Sequence, residues 1–182
     1  MNGCWIPDFV EYNSENDWKE YDEQLYSIFR SDFILDHPLY EGKEVRVRFE
    51  PYLDGREEAF WHLTCIDFDH KSGKPEDREV DLERCKRIKW PRSFIEHHSE
   101  CIDHEIDECK GVLVWEALHK YKGRAKRRIK LFLEEESYLV VLEPRGKYCF
   151  LITAFYVDKE YTYKSIMREA KRNGAKIAGS AC

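Results

Sequence analysis

The sequence lacks any apolar run long enough to cross a bilayer, since a membrane-spanning helix needs about 20 consecutive apolar residues. Its first eight residues also lack the basic region and the apolar core of a signal peptide. The seven cysteines are an odd number in a chain without such a signal, which favours reduced thiols over a disulfide framework. These absences predict a cytoplasmic protein with no membrane partner.

Several catalytic motifs are missing as well. The chain has no Gly-x-Gly-x-x-Gly fingerprint, no P-loop, no nucleophile elbow and no His-Glu-x-x-His. A nucleotide-dependent enzyme or a metalloprotease therefore has no support, and we expect no cofactor. A chain of 182 residues that is 42% hydrophobic, without internal repeats, predicts one domain over residues 1–174 and a flexible tail over 175–182.

Charge is unevenly distributed along the chain. The formal net charge is −6, and residues 1–60 hold 15 acidic and 6 basic residues, whereas residues 61–182 hold 21 acidic and 24 basic residues. Seven of the eleven positions from Lys120 to Lys130 are Lys or Arg. This distribution fits a protein that contacts a polyanion through one surface. It fits equally an acidic protein with one solvated basic hairpin, and charge alone leaves both alternatives open.

Hydrophobic periodicity predicts an α+β fold. Large apolar side chains recur at helical spacing over residues 15–30, which predicts an amphipathic helix. Residues 130–156 form three strand-length apolar segments separated by a Glu-Glu turn and a Pro-Arg-Gly turn, the pattern of an antiparallel meander. Residues 59–66 are expected to be extended, and Thr162 to Asn173 to form a last helix.

The turns predict a register for this sheet. A two-residue turn at Arg145-Gly146 would pair Glu143 with Tyr148, and a turn at Glu135-Glu136 would place Arg128 opposite Glu143 and Lys130 opposite Val141. One face is then almost wholly apolar, and we expect helices to cover it. The other face is expected to be open, and it carries cations and rings: Arg128, Lys130, Phe132, Glu143, Tyr148 and Tyr156.

The open face has two interpretations. Cations beside aromatic rings suit single-stranded RNA, because charge binds phosphates and rings stack on bases. The alternative is an ordinary cross-strand pair between Arg128 and Glu143 on a half-exposed sheet. A slip of one residue in the register would exchange the two faces.

Several short motifs resemble a known family. They are Asp17-Trp18 before the first helix, Tyr52-Leu53-Asp54-Gly55, Phe60-Trp61-His62, the block from Asp81 to Arg92, Tyr138 to Leu142, and Thr153-Ala154. Together they span residues 17 to about 170, and they resemble a family of small phage- and prophage-encoded proteins. That family is similar to the phage branch of the barnase–EndoU–colicin–RelE group of ribonuclease folds.

The resemblance implies a barnase/RelE-like arrangement, in which N-terminal helices pack on an antiparallel sheet. It also implies toxin-like, metal-independent cleavage of RNA on the open face. This chemistry needs a base for the ribose 2′-hydroxyl, cations for the charged phosphorane, and an acid for the leaving 5′-oxygen.

Carried onto this chain, the resemblance implies His62 as the acid/base group and Arg84 and Arg87 as a phosphate clamp. Lys130 and Tyr156 would face the substrate, and Thr153 matches the family motif although the predicted register turns it toward the core. We expect RNA to be bound by the basic segment and one ring: Lys120, Lys122, Arg124, Lys126, Arg127, Arg128 and Tyr148. The alternatives are a packed histidine and a solvated basic turn.

A histidine–cysteine segment departs from the family pattern. His98, Cys101, His104 and Cys109 are candidate zinc ligands, but there is no Cys-x-x-Cys, and an acidic surface loop is the simpler interpretation.

Two further functions stay open beside catalysis. One is a non-catalytic RNA- or protein-binding protein of the same fold. The other is a phage accessory protein whose acidic first helix docks a partner, such as an inhibitor or a phage or host protein. Catalysis predicts His62 and a cation in one cleft, pure binding predicts a continuous basic–aromatic surface, and docking predicts an exposed apolar stripe on the helix.

Overall fold

A computed structural model describes residues 5–13, 17–67, 78–100, 110–121 and 123–179. Its fold is α+β, as predicted. The described residues form the helices α1 (Trp18–Arg30), α2 (Glu58–Thr64), α3 (Leu82–Cys85), α4 (Trp90–His97) and α5 (Glu160–Arg172). They form the strands β1 (Leu39–Tyr40), β2 (Lys43–Arg46), β3 (Cys65–Asp67), β4 (Arg78–Val80), β5 (Leu113–Tyr121), β6 (Arg124–Leu133), β7 (Tyr138–Arg145), β8 (Tyr148–Tyr156) and β9 (Lys176–Ile177).

One large, mostly antiparallel sheet organises the chain. Its seven strands follow the order β1-β2-β8-β7-β6-β5-β9, and β3 and β4 form a separate pair. Strands β5 to β8 pair with one another in succession, each antiparallel to the next. Strand β2 joins β8 in parallel, and this pairing covers only Val45 with Cys149 and Arg46 with Phe150. The second half of β8 is therefore left as an edge of the sheet.

Helix α1 confirms the helix predicted over residues 15–30. The side chain of Asp17 caps it by accepting a hydrogen bond from the backbone N–H of Lys19 at 3.2 Å. The helix continues as a π-helical turn over Ser31–Leu35. Tyr21, Leu25 and Phe29 are buried, so the apolar stripe packs inward. It is therefore not the exposed stripe that partner docking by this helix requires.

Helices cover both faces of the sheet, which corrects the expectation of one open face. The first face packs against α1, α2 and α4 in the main core, through residues such as Leu131, Val140 and Leu151. The second face packs against α5, with Phe132, Leu139 and Val141 beneath the helix residues Ile166 and Ala170. Phe132, expected on the open face, is 0% exposed. The amphipathic pattern of α5 explains why this helix packs on the second face, because its apolar side chains are removed from water only when they contact another apolar surface.

The predicted register is correct in one hairpin and wrong in the other. Lys130 lies opposite Val141, as predicted. In the second hairpin the turn falls at Gly146-Lys147, so Glu143 lies opposite Phe150 and not opposite Tyr148. A β-bulge between Val141 and Leu142 then shifts the pairing by one more residue. A bulge reverses the alternation of faces along a strand, and Thr153 consequently lies on the second face.

Two other segments carried expectations, and the first of these expectations is wrong. The segment 59–66, predicted to be extended, is mostly the helix α2, and its Ala59, Phe60 and Leu63 recur at helical spacing as buried residues. The segment predicted as a flexible tail begins with β9, which pairs with Leu113 and Val114 of β5; residues 180–182 lie outside the described part.

Candidate functional site

A small cavity lies between α2 and the edge of the sheet at β8. Its volume is about 160 Å³, and it is lined by Arg48, Glu58, Ala59, His62, Leu63, Arg128, Phe150, Leu151 and Ile152. We call it the His62 cavity. Glu58 and His62 are four residues apart on α2, so the helix places both on the same side, one turn apart. The cavity therefore combines two groups that can carry a proton with two guanidinium groups.

His62 is held as a neutral imidazole. Burial lowers its pKa to about 4, and the positive charges of Arg78, Arg84 and Arg48 act in the same direction, whereas Glu58 opposes them. The Nη1 of Arg84 also donates a hydrogen bond of 2.8 Å to the His62 carbonyl oxygen. The Glu58 carboxylate is itself bound by Arg78 at 2.8 Å. At neutral pH the imidazole can thus accept a proton.

Arg48 is the cation of the cavity that can take an anion most readily. Its backbone carbonyl accepts a hydrogen bond from the Ala59 N–H at 3.1 Å, which fixes the strand end against the start of α2. Its side chain is exposed, and it has no carboxylate partner among the residues that the structure describes. A guanidinium group suits phosphate because two of its N–H groups can donate parallel hydrogen bonds to two phosphate oxygens.

Arg128 also lines the cavity and is held by an ion pair. Its Nη1 lies 2.6 Å from the Oε2 of Glu143; the Glu143 side chain is buried and that of Arg128 is half-buried. Arg145 and Lys126 approach the other oxygen of the same carboxylate, at 2.8 Å and 3.4 Å. The predicted pair between Arg128 and Glu143 is therefore present, within a cluster of three cations and one carboxylate.

Next to the cavity, further aromatic and cationic side chains lie at one end of the second face of the sheet. The guanidinium of Arg46 lies 4.7 Å from the ring centroid of Tyr148, and that of Arg145 lies 4.7 Å from the ring centroid of Phe150. We define the basic–aromatic surface by seven residues from β2, the loop after it and the strands β6, β7 and β8: Arg46, Arg48, Lys126, Arg128, Arg145, Tyr148 and Phe150.

A second cavity adjoins the first beneath α5. Its volume is about 320 Å³, and it shares Arg128 and Ile152 with the His62 cavity. The predicted residues Lys130 and Thr153 both line it. Lys130 is bound there to Glu169 of α5 at 2.7 Å. We call this space the α5 cavity.

The predicted phosphate clamp lies elsewhere. Arg87 is buried, pairs with Glu83 at 2.6 Å and lies 4.4 Å from the ring centroid of Tyr156. Tyr156 packs against the main core on the first face, which corrects the expectation that it lies beside Lys130. Arg84 is bound to the His62 carbonyl and to Asp81 at 3.5 Å, so it holds the backbone of the site.

The basic hairpin β5–β6 is largely solvent-exposed. Lys120, Arg124 and Arg127 are exposed, and Arg127 makes a surface ion pair with Glu116 at 3.4 Å. Lys122 lies outside the described residues. Of the predicted RNA-binding residues, Lys126, Arg128 and Tyr148 belong to the basic–aromatic surface, and the three exposed cations extend away from it along the hairpin.

The histidine–cysteine segment is described only at its start. His98 is buried, its Nδ1 lies 3.1 Å from the Ile95 carbonyl oxygen, and its ring stacks on that of Tyr40 at 5.0 Å. The other candidate zinc ligands, Cys101, His104 and Cys109, lie outside the described residues. Within the described part of the chain, no group of three potential metal ligands occurs.

Sequence reasoning missed four residues of the site: Arg46, Arg48, Glu58 and Phe150. A signal for the first two is present, because Arg46 and Arg48 alternate with the buried Val45 and Val47. Glu58 directly precedes the segment 59–66 that was predicted to be extended, and its i, i+4 relation to His62 appears only when both residues lie on one helix.

Within the described residues, no helix is long and apolar enough to span a membrane. Comparisons of this chain with protein-family models, with curated proteins and with solved structures found no match.

Proposed function

We propose that the protein binds single-stranded RNA on the basic–aromatic surface and cleaves it, without a metal ion, at the His62 cavity. The observation that carries the proposal is the convergence of a neutral imidazole with Arg48 and Arg128 in one cavity. The resemblance to phage-encoded ribonuclease-like proteins supports the same chemistry. As part of this proposal, the protein acts on RNA in the cytoplasm.

The reaction is an internal transfer within the RNA. His62 accepts the proton of the ribose 2′-hydroxyl, and the 2′-oxygen forms a bond to phosphorus. The bond from phosphorus to the 5′-oxygen then breaks, and the imidazolium returns its proton to that oxygen. The products are a 2′,3′-cyclic phosphate and a free 5′-hydroxyl. Arg48 and Arg128 bind the phosphoryl oxygens and stabilise the charge that grows on them.

Glu58 assists the proton transfer without leaving its ion pair. Its negative charge favours the protonated form of His62, one helical turn away. A bound phosphate acts in the same direction, because it offsets the cations that lower the pKa of His62. We therefore expect His62 to be a better base with RNA bound than in the free protein.

Binding without cleavage is the second candidate function. The basic–aromatic surface is complete without His62, and an imidazole whose pKa is about 4 is a weak base in the absence of substrate. The two candidates differ in one observable, which is whether RNA is cut.

The deciding experiment is RNA cleavage by purified protein in EDTA, with His62→Gln and, as a matched control, His97→Gln. His97 is a half-buried histidine on α4 that pairs with Glu100 at 2.8 Å and does not line the cavity. We expect wild type and the control to cut RNA, and His62→Gln to lose at least about a hundredfold in rate, the usual contribution of a general base. The kcat/KM should fall as the pH drops through about 4, where His62 becomes protonated.

The opposite result is equally clear. If neither wild type nor the two variants cut RNA, but all three proteins bind it with an affinity that falls steeply as the salt concentration rises, the protein is a binding protein. Equal cleavage by wild type and both variants would remove His62 from the mechanism.

A further inference from the structure

The lining of the α5 cavity has an apolar part, which we call its floor, and a polar part, which we call its rim. Its floor consists of side chains from the sheet and from α5: Leu139, Val141, Ile152, Phe155 and Ile166. Its rim carries groups that can make hydrogen bonds: His119, Lys130, Thr153, Thr162 and Glu169. Small-molecule sites have this composition, with apolar walls and a few placed polar groups. A volume of about 320 Å³ is at the lower end of the range for such sites.

A nucleobase matches this cavity chemically. It has two apolar faces, which suit the aliphatic and aromatic floor, and an edge of donors and acceptors, which suits the rim. The hydroxyl groups of Thr153 and Thr162 have no hydrogen-bond partner within the described residues. They are therefore available to a ligand as both donors and acceptors.

Part of the rim is held rigidly. The carboxylate of Glu169 accepts a hydrogen bond from the indole N–H of Trp115 at 2.9 Å and pairs with Lys130 at 2.7 Å. Burial acts to raise its pKa, but these two contacts hold the pKa of Glu169 below its ordinary value. The carboxylate thus stays charged, and its remaining lone pairs can accept hydrogen bonds from the edge of a base.

The position of Arg128 connects the two cavities. Arg128 and Ile152 line both spaces, so a phosphate bound by Arg128 and Arg48 lies beside the mouth of the α5 cavity. We propose that the α5 cavity is a nucleobase subsite, which receives the base of the nucleotide next to the bound phosphate and makes the protein selective for that base. This inference rests on the proposed binding of RNA, but it does not require the protein to cleave the RNA.

The test is the binding of four ribonucleoside 3′-monophosphates to the full chain in EDTA, measured by calorimetry, with inorganic phosphate as the probe for the phosphate site alone. We expect one nucleotide to bind at least about tenfold more tightly than phosphate and than the weakest of the other three. Thr153→Val keeps the β-branched shape on the strand and removes the hydroxyl. It should weaken the preferred nucleotide roughly fivefold, the value of one hydrogen bond.

Ser165→Ala is the matched control, since it removes an exposed hydroxyl of α5 that does not line the cavity. Thr162→Val provides a second test from the helix side. If nucleotides bind no more tightly than phosphate, or if both threonine variants behave like the control, the subsite is overturned even when RNA is cut. If His62→Gln binds one nucleotide selectively and wild type cuts no RNA, the subsite stands and catalysis fails.

Discussion

Glu143 shows how one buried carboxylate organises the surface around it. It is 5% exposed and lies within 3.4 Å of cationic nitrogens from Lys126, Arg128 and Arg145. Burial acts to raise its pKa, but the hydrogen bond from Arg145 and the three positive charges hold the pKa of Glu143 below its ordinary value. The carboxylate sets the positions of these cations, and the proposed binding of RNA requires the cations to keep those positions.

We therefore expect Glu143→Gln to destabilise the fold by about 3 kcal/mol at pH 7, because the half-buried Arg128 loses the buried carboxylate that balances its charge. The measurement is urea unfolding of the variant and wild type. Glu116→Gln is the control, since Glu116 pairs with Arg127 on the exposed hairpin, and its loss should cost less than about 0.5 kcal/mol.

The pH dependence of this difference follows from the pKa of Glu143. A carboxyl group whose pKa is lowered on folding stabilises the protein above its unfolded pKa, near ~4.3. That contribution is lost as the pH falls through the lower, folded value. The gap between wild type and Glu143→Gln should thus narrow below pH ~4, and a gap that stays constant down to pH ~3 would contradict the ion-pair cluster.

At the level of elements, the sequence predicts best where local pattern and packing agree. Helix α1 follows from its apolar spacing, and the β6–β7 register follows from a turn with strand pattern on both sides. The β7–β8 hairpin could not be predicted, because a turn displaced by one residue and a bulge each change the register. Local propensity does not encode a bulge that satisfies packing on two faces.

The prediction for the segment that forms α2 is wrong for a related reason. Seven residues containing Phe60, Trp61 and Thr64 suit a strand by composition. Their burial on one side of a helix is decided by contacts with α1 and α3, which are distant in sequence. Because the helix was not predicted, this part of the site was not predicted either, since Glu58 and His62 come together only at helical spacing.

Helix α5 should contribute stability through the face it covers. We expect Ile166→Ala to cost about 2–4 kcal/mol, because the side chain is buried against Phe132 and Val141 and its loss leaves a cavity. Tyr161→Ala is the control on the same helix, and its side chain is 68% exposed. Guanidinium unfolding would check both variants. Equal costs would contradict the packing of α5 on the sheet, and with it the contribution of α5 to the lining of the α5 cavity.

On the scale of the whole molecule, the distribution of charge over the surface matters more for binding a polyanion than the net charge does. The chain carries a net charge of −6, yet the end of the second face and the β5–β6 hairpin are basic. A polyanion approaching the protein is repelled by most of it and attracted by this region, so association is directed to one place. The negative net charge of the whole chain therefore does not reveal the local positive charge on which the proposed RNA binding rests.

The hairpin gives the last prediction, because its cations are exposed and Arg124 has no ion pair within the described residues. Each phosphate contact on single-stranded RNA contributes about −0.7 to the slope of log K against log salt. We expect Arg124→Gln to weaken RNA binding and to make this slope less steep by about 0.7. Arg168→Gln makes the same change of charge on the exposed side of α5, where no contact is expected, so its slope should equal that of wild type. Since both variants have the same net charge, equal slopes would mean that only the global field acts. The hairpin would then make no direct contact with the RNA.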